Sequence, residues 1–336
     1  MDGSVSGGTR GESVASGRMI AMVILSGVCI SIIGVMYDVG KTFAEPVVPM
    51  QVMAVLSVMG FFTFLLRLLR RPDWRGVVAG PGSRGVWIGG SITGVGQFLA
   101  AALINAGLQS NLPLTPVWCA LSLSFVVVIV YSRVVFGERL DWAKFLALAA
   151  AAGCMVASTL NAPQDPAAGA GTAPAVGGAL LVAGLLVGVV LCNATTQVVM
   201  KELGMRRVGE QTLMQRGREL YMLLMYAFLT VGTVGYCTVH GLSPTWPSLG
   251  LGVIASAGSI VGVLLLTACV SAPAAVVFTL NGIASIVAAS VISVLALGEA
   301  ANALWVVTMV LATAAILLGS GLVRRREDKK AVGCRP

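Results

Sequence analysis

The sequence predicts an all-α integral membrane protein: ten transmembrane helices arranged as two inverted five-helix repeats. Three observations carry that expectation. First, 57% of the 336 residues are hydrophobic and only 11% are charged, against roughly 25% charged in a soluble globular protein. Second, the apolar residues are gathered into long runs. Between Leu220 and Gly298 there is no Asp, Glu, Lys or Arg, and only His240 interrupts the stretch. An apolar run of about 20 residues crosses a bilayer as a helix, so this stretch has room for three. Third, the basic residues fall on one side when the runs are threaded through a membrane.

The runs give spans at 19–37, 47–68, 86–108, 112–135, 143–160, 177–199, 219–239, 248–270, 273–296 and 302–323. Helices are expected because lipid offers the backbone no hydrogen-bond partner, and the alternating pattern of a membrane β-barrel is absent. The eighth and ninth spans are divided at Ser271, Ala272 and Pro273, with proline suited to open the next helix.

With the N-terminus inside, every Lys and Arg except Lys41 falls in a cytoplasmic segment, as cytoplasmic loops are enriched in these residues. Both termini are then cytoplasmic. The net charge of +8 follows from this bias and from attraction to anionic lipid at the cytoplasmic face, and calls for no nucleic acid. The apolar run after Arg18 is longer than a signal-peptide core and has no small-x-small cleavage site after it, so it reads as the first span. None of the seven cysteines forms a Cys-x-x-Cys pair, so neither a disulfide framework nor a metal site is expected.

A Gly-Glu pair follows the fourth span as Gly137-Glu138 and recurs after the ninth as Gly298-Glu299, 161 residues later. Each precedes an Ala-rich apolar helix. The expected organisation is a disordered tail over 1–18, a first repeat over 19–160, a linker over 161–176, a second repeat over 177–323 and a basic tail over 324–336. Five spans per half is an odd number, so the second half enters the membrane inverted. That architecture is common in secondary transporters, with the substrate site between the halves.

The segment Phe136-Gly137-Glu138-Arg139-Leu140, with Trp142 and the Ala/Gly-rich helix after it, resembles the repeat ending of the drug/metabolite transporter superfamily (EamA-like). So does Leu297-Gly298-Glu299 with its following helix. The resemblance implies a ten-helix fold with a central cavity and alternating access. It extends over the whole chain in span count and repeat, and over about 25 residues of each half as motif. The Trp-Gly usual in that family's first span is missing, with Ile33-Gly34 nearest to it, and Asn281 stands where a ninth-span Lys would mark the sugar-phosphate branch.

Intramembrane ionisable groups are functional suspects by default, and the predicted spans hold almost none. Amides and an indole take their place as candidates for substrate binding: Gln97, Asn105, Trp118, Asn193, Gln197 and Asn281. Each reads equally as helix–helix glue. Asn193 and Gln197 are four apart and share a helical face, as do Asn281 and Ser285. Tyr37 and Lys41, in the outer cluster Tyr37, Asp38, Lys41 and Glu45, are further candidates for an anionic substrate group or for a solvated loop. Glu138 and Glu299 read as structural, each facing the positive N-terminal end of the helix after it.

A membrane-embedded enzyme would need a nucleophile, a carboxylate pair or metal ligands, and the sequence shows no such set. The expected function is therefore secondary transport of a small polar or amphipathic metabolite, with no cofactor or metal. Exchange of nucleotide sugars or sugar phosphates, and a non-transporting structural role, are the alternatives. The expected partners are that solute and the bilayer, and self-association into a homodimer is compatible with the sequence.

Overall fold

The computed structural model describes residues 17–40, 42–45, 47–109, 114–138, 142–160, 176–297 and 303–319. The expectations for 1–16, 161–175, 324–336, Lys41, Gly298 and Glu299 lie outside these residues, and so does the side chain of Trp118; Gly17 and Arg18, expected in the disordered tail, and Val176, expected in the linker, are helical.

The described chain runs α1 (Gly17–Gly40), α2 (Pro49–Leu69), α3 (Trp74–Ala79), α4 (Ser83–Gln109), α5 (Leu114–Phe136), α6 (Trp142–Leu160), α7 (Val176–Met205), β1 (Arg207–Val208), β2 (Gln211–Thr212), α8 (Leu213–Val239), α9 (Trp246–Cys269), α10 (Ala274–Leu297) and α11 (Ala303–Gly319). Seven of the helices, α1, α2, α4, α7, α8, α9 and α10, are long and apolar enough among the described residues to cross a membrane. Many large apolar side chains point away from the core, among them Phe62, Leu66, Val130, Val134, Val231 and Val310. Water would not tolerate so much exposed hydrocarbon, whereas lipid does. The chain is a multi-pass, all-α membrane protein.

The helix starts are written locally. Pro49 opens α2, where its missing N–H costs nothing. Thr212 caps α8 by accepting from the Gln215 N–H at 3.1 Å, and Thr245 caps α9 by accepting from Ser248 at 3.3 Å. At the division between α9 and α10, the Pro273 carbonyl accepts from the Val276 N–H at 3.0 Å. Two details depart from the sequence reading. The loop between α2 and α4 contains the short α3. The basic loop expected over 201–218 shrinks to a tight antiparallel hairpin, because α7 continues to Met205 and α8 begins at Leu213. Lys201 is therefore a helix residue with a buried side chain.

The packing crosses the chain. α1 lies against α9 and α10, α4 against α7 and α8, α2 against α8 and α9, α5 against α7 and α10, and α6 against α11. Small residues allow the closest crossings, as is usual between helices in lipid. A Cβ on Gly27 would collide with the Asn281 carbonyl on α10, and one on Gly258 would sit 2.6 Å from the Cys29 carbonyl on α1. Contacts also fix the two ends of the bundle. Arg71 binds Glu219, and Glu138 binds Lys201 and Ala274, at one end, the basic end, while Gln51 donates to the Ser243 carbonyl at 2.6 Å at the other.

Candidate functional site

A cavity of about 150 Å³ lies between α1, α2, α4, α5, α7 and α10. Its walls are partly apolar, from Ile30, Ile33, Met53, Ile104 and Phe278. Its polar lining is Tyr37, Gln97, Asn193, Gln197, Asn281 and Ser285. Five residues singled out from sequence thus share one space. No charged residue lines it among the described residues. The helical spacing explains the grouping: Asn193 and Gln197 stand one turn apart on α7, and Asn281 and Ser285 one turn apart on α10.

Asn105 does not join them. It is buried further along α4, where its Nδ2 donates to the Tyr236 hydroxyl of α8 at 3.0 Å. That is the helix–helix use of an amide. Its Oδ1 is buried without a partner.

Each cavity amide is held by a hydroxyl that sequence reasoning passed over. Ser124 on α5 donates its one proton to the Leu121 carbonyl at 2.6 Å. Its oxygen then accepts from Asn193 Nδ2 at 2.8 Å and Gln197 Nε2 at 2.9 Å. Asn193 Nδ2 also donates to the Leu121 carbonyl at 2.8 Å. On α7, Thr196 donates back to the Cys192 carbonyl at 3.3 Å and accepts from Gln97 Nε2 at 3.2 Å. Ser26 on α1 donates to the Gly262 carbonyl at 2.7 Å and to Asn281 Oδ1 at 2.9 Å. A hydroxyl has one proton and a carbonyl only accepts. The Ser26 proton is therefore shared between these two acceptors, and Asn281 turns its amide oxygen toward α1. The Gln197 Oε1 is left buried and without a partner.

One turn beyond Gln197, toward the basic end, Lys201 closes the space between α5, α7 and α10. Its Nζ donates to Glu138 Oε1 and to the Ala272 carbonyl, both at 2.6 Å, and its side chain is 0% exposed. Glu138 reaches this position because Gly137, with φ +67°, turns the chain sharply at the end of α5. The other Glu138 oxygen accepts from the Ala274 N–H at 2.9 Å. Sequence placed Glu138 at the start of the helix after it. Instead it caps α10, more distant in sequence, and neutralises a lysine on α7. Nearby, the Tyr131 hydroxyl donates to Glu202.

A second ionic cluster lies at the same end, around Glu219 of α8. Arg71 binds it at 2.8 Å and grips Asp73 through two bonds of 3.0 Å, while Arg218 stands 3.3 Å and Arg67 3.8 Å from Glu219. The hydrogen bond from Arg71 holds the Asp73 carboxyl below the usual carboxylate range. The same bond raises the Arg71 guanidinium above its ordinary value. The cluster ties α2 to α8 and lies apart from the cavity lining.

No family model and no curated protein matches this sequence. Solved structures do match. One superposes with a TM-score of 0.65 at 16% identity, covering 92% of this chain and 100% of its own. The likeness is one of fold, extending over nearly the whole chain.

Proposed function

We propose that this protein is a secondary transporter of the drug/metabolite type, moving a small polar or amphipathic solute by alternating access between two inverted repeats. The cavity carries the reading. Its walls come from α1, α2, α4 and α5 on one side of the linker and from α7 and α10 on the other, so relative movement of the two sets would change its access. Its polar groups are uncharged, which suits a site that must bind and release within lipid.

The packing supports the repeat. Take α1, α2, α4, α5 and α6 as the first five helices and α7 to α11 as the second. Exchange each helix for its counterpart. The contact of α1 with α9 becomes that of α7 with α4, α1 with α10 becomes α7 with α5, and α2 with α9 becomes α8 with α4. The pairs α2 with α8, α5 with α10 and α6 with α11 map onto themselves. Local features follow: a Cβ on Gly258 would meet the Cys29 carbonyl, and a Cβ on Gly96 would sit 3.4 Å from the Cys192 carbonyl. Ser124 and Ser285 are 161 residues apart, the same offset as Gly137 and Gly298. The positive-inside rule then places the basic end, with Lys201 and Glu138, at the cytoplasmic face.

Purified protein in proteoliposomes, screened for exchange of labelled polar metabolites, tests the reading. Saturable flux that depends on Gln197 and Asn281 is the expected result. A non-transporting structural protein would give none with any solute.

A further inference from the structure

Four amides line the cavity, and three of them are oriented by the same device. Ser124 and Thr196 each spend their proton on a main-chain carbonyl of a helix and offer their lone pairs to an amide NH2. Gln97, Asn193 and Gln197 therefore turn nitrogen toward these anchors and oxygen away from them, while Asn281 turns its oxygen to Ser26. Asn193 has both hydrogens occupied. A hydroxyl that faced its proton outward would have turned the amides the other way. The consequence is that Gln97, Asn193 and Gln197 keep amide oxygens free of these anchors, with Gln197 Oε1 buried and unpaired. An unpaired buried acceptor costs about 1–3 kcal/mol until a ligand supplies a donor.

The charge state of the ligand follows from the same lining. An anionic group would meet no basic side chain among the described lining residues. A cationic group would find acceptors but no carboxylate, and a buried charge without a counter-charge is costly. An uncharged O–H or N–H donor satisfies the acceptors at neither cost. The apolar walls from Ile30, Ile33 and Phe278 would cover the C–H faces of such a solute.

We infer that the cavity selects uncharged, hydrogen-bond-donating solutes, polyols and their relatives, and rejects carboxylates and phosphates. The inference rests on the transport reading only for the word substrate; as a statement about binding it stands without it.

The test uses three six-carbon probes that differ only at C1: sorbitol, gluconate and 1-amino-1-deoxysorbitol, which are neutral, anionic and cationic at pH 7. Binding to the full-length protein in detergent is measured by titration calorimetry, and flux of each probe in proteoliposomes is measured separately. Sorbitol is expected to bind at least tenfold more tightly than either charged probe. In Gln197→Glu, which keeps the shape and adds a negative charge, the order should change so that the amine binds best and gluconate worst. Tightest binding of gluconate or of the amine by the wild type overturns the inference, as does binding of none of the three. An unaltered order in a folded Gln197→Glu variant also overturns it. The two readings separate cleanly. Sorbitol binding without flux sinks transport and leaves the ligand class standing; gluconate flux with no sorbitol preference does the reverse.

Discussion

Replacing Glu138 by Gln should be among the most damaging single changes outside the cavity, and more damaging than removing its partner. The amide keeps the acceptor that caps Ala274 and nearly the same volume, so only the charge is lost. Lys201 then stands with its ammonium fully buried and 0% exposed, against the Ala272 carbonyl alone. Breaking a buried pair in this way costs about 3–5 kcal/mol. Lys201→Met is different. Glu138 is 20% exposed and still accepts from the Ala274 N–H at the start of α10, where the helix end favours a negative charge. That variant should lose only about 1–2 kcal/mol, a buried charge-assisted hydrogen bond in part replaced by water. The double variant Glu138→Gln/Lys201→Met should recover most of the loss, since two neutral groups are left with one satisfied N–H. A double-mutant cycle read by reversible unfolding in mixed micelles should therefore give a coupling energy on the order of 2–4 kcal/mol. The reasoning fails if the two single variants cost the same within error, or if their losses simply add in the double.

Four other outcomes follow from the geometry. Gln197→Ala or Asn281→Ala should weaken transport about tenfold, equivalent to about 1.4 kcal/mol, with normal amounts of monodisperse protein; loss of fold with undiminished specific flux would make these amides helix glue. Gly27→Ala should fail differently, because its Cβ would meet the Asn281 carbonyl and α1 and α10 must separate, which size-exclusion profiles and a lowered Tm would register. Cysteines placed at Ser243 and Pro163 should react with an impermeant reagent from outside, and those at Gly80 and Gly209 only after permeabilisation; reaction of all four from one side contradicts the inverted arrangement. The lowered pKa of Asp73 means that its ionised form is favoured by folding. Its contribution is present above the unfolded carboxylate value of about 3.9 and fades as pH falls through the lower folded value. Asp73→Asn should accordingly lower Tm slightly at pH 6 and converge with the wild type in strong acid.

Much of this arrangement is legible in the sequence because it is written with short periods. Span positions follow from apolar runs. The shared faces of Asn193 with Gln197 and of Asn281 with Ser285 follow from a spacing of four. What escaped is encoded at long range. Lys201 sits where an apolar run ends, so its charge reads as the start of a loop; only the fold brings Glu138 beside it. Ser124 and Thr196 were invisible for another reason. A hydroxyl in an apolar helix that bonds back to its own main chain looks, by composition, like a small neutral residue. Asn105 and Gln97 are alike in sequence and both lie on α4, yet one meets Tyr236 and the other the cavity, a distinction of helix face relative to neighbours not yet known.

The crossing of the chain also has a consequence for how the protein is made. Ribosomes deliver α1 to α6 first, but the chief neighbours of α1, α2, α4 and α5 are α7, α8, α9 and α10. Until those arrive, Ser26, Ser57 and Thr93 have no opposing group, since their partners Gly262, Thr233 and Tyr221 are all downstream. The early helices must wait in the bilayer as separate spans, with lipid or the insertion machinery covering faces meant for later helices. Assembly is then a zippering of two sets rather than the docking of two finished halves. A ribosome stalled between α6 and α7 would hold a product that is inserted but unfolded, and α1 to α6, expressed by themselves, would not be a domain.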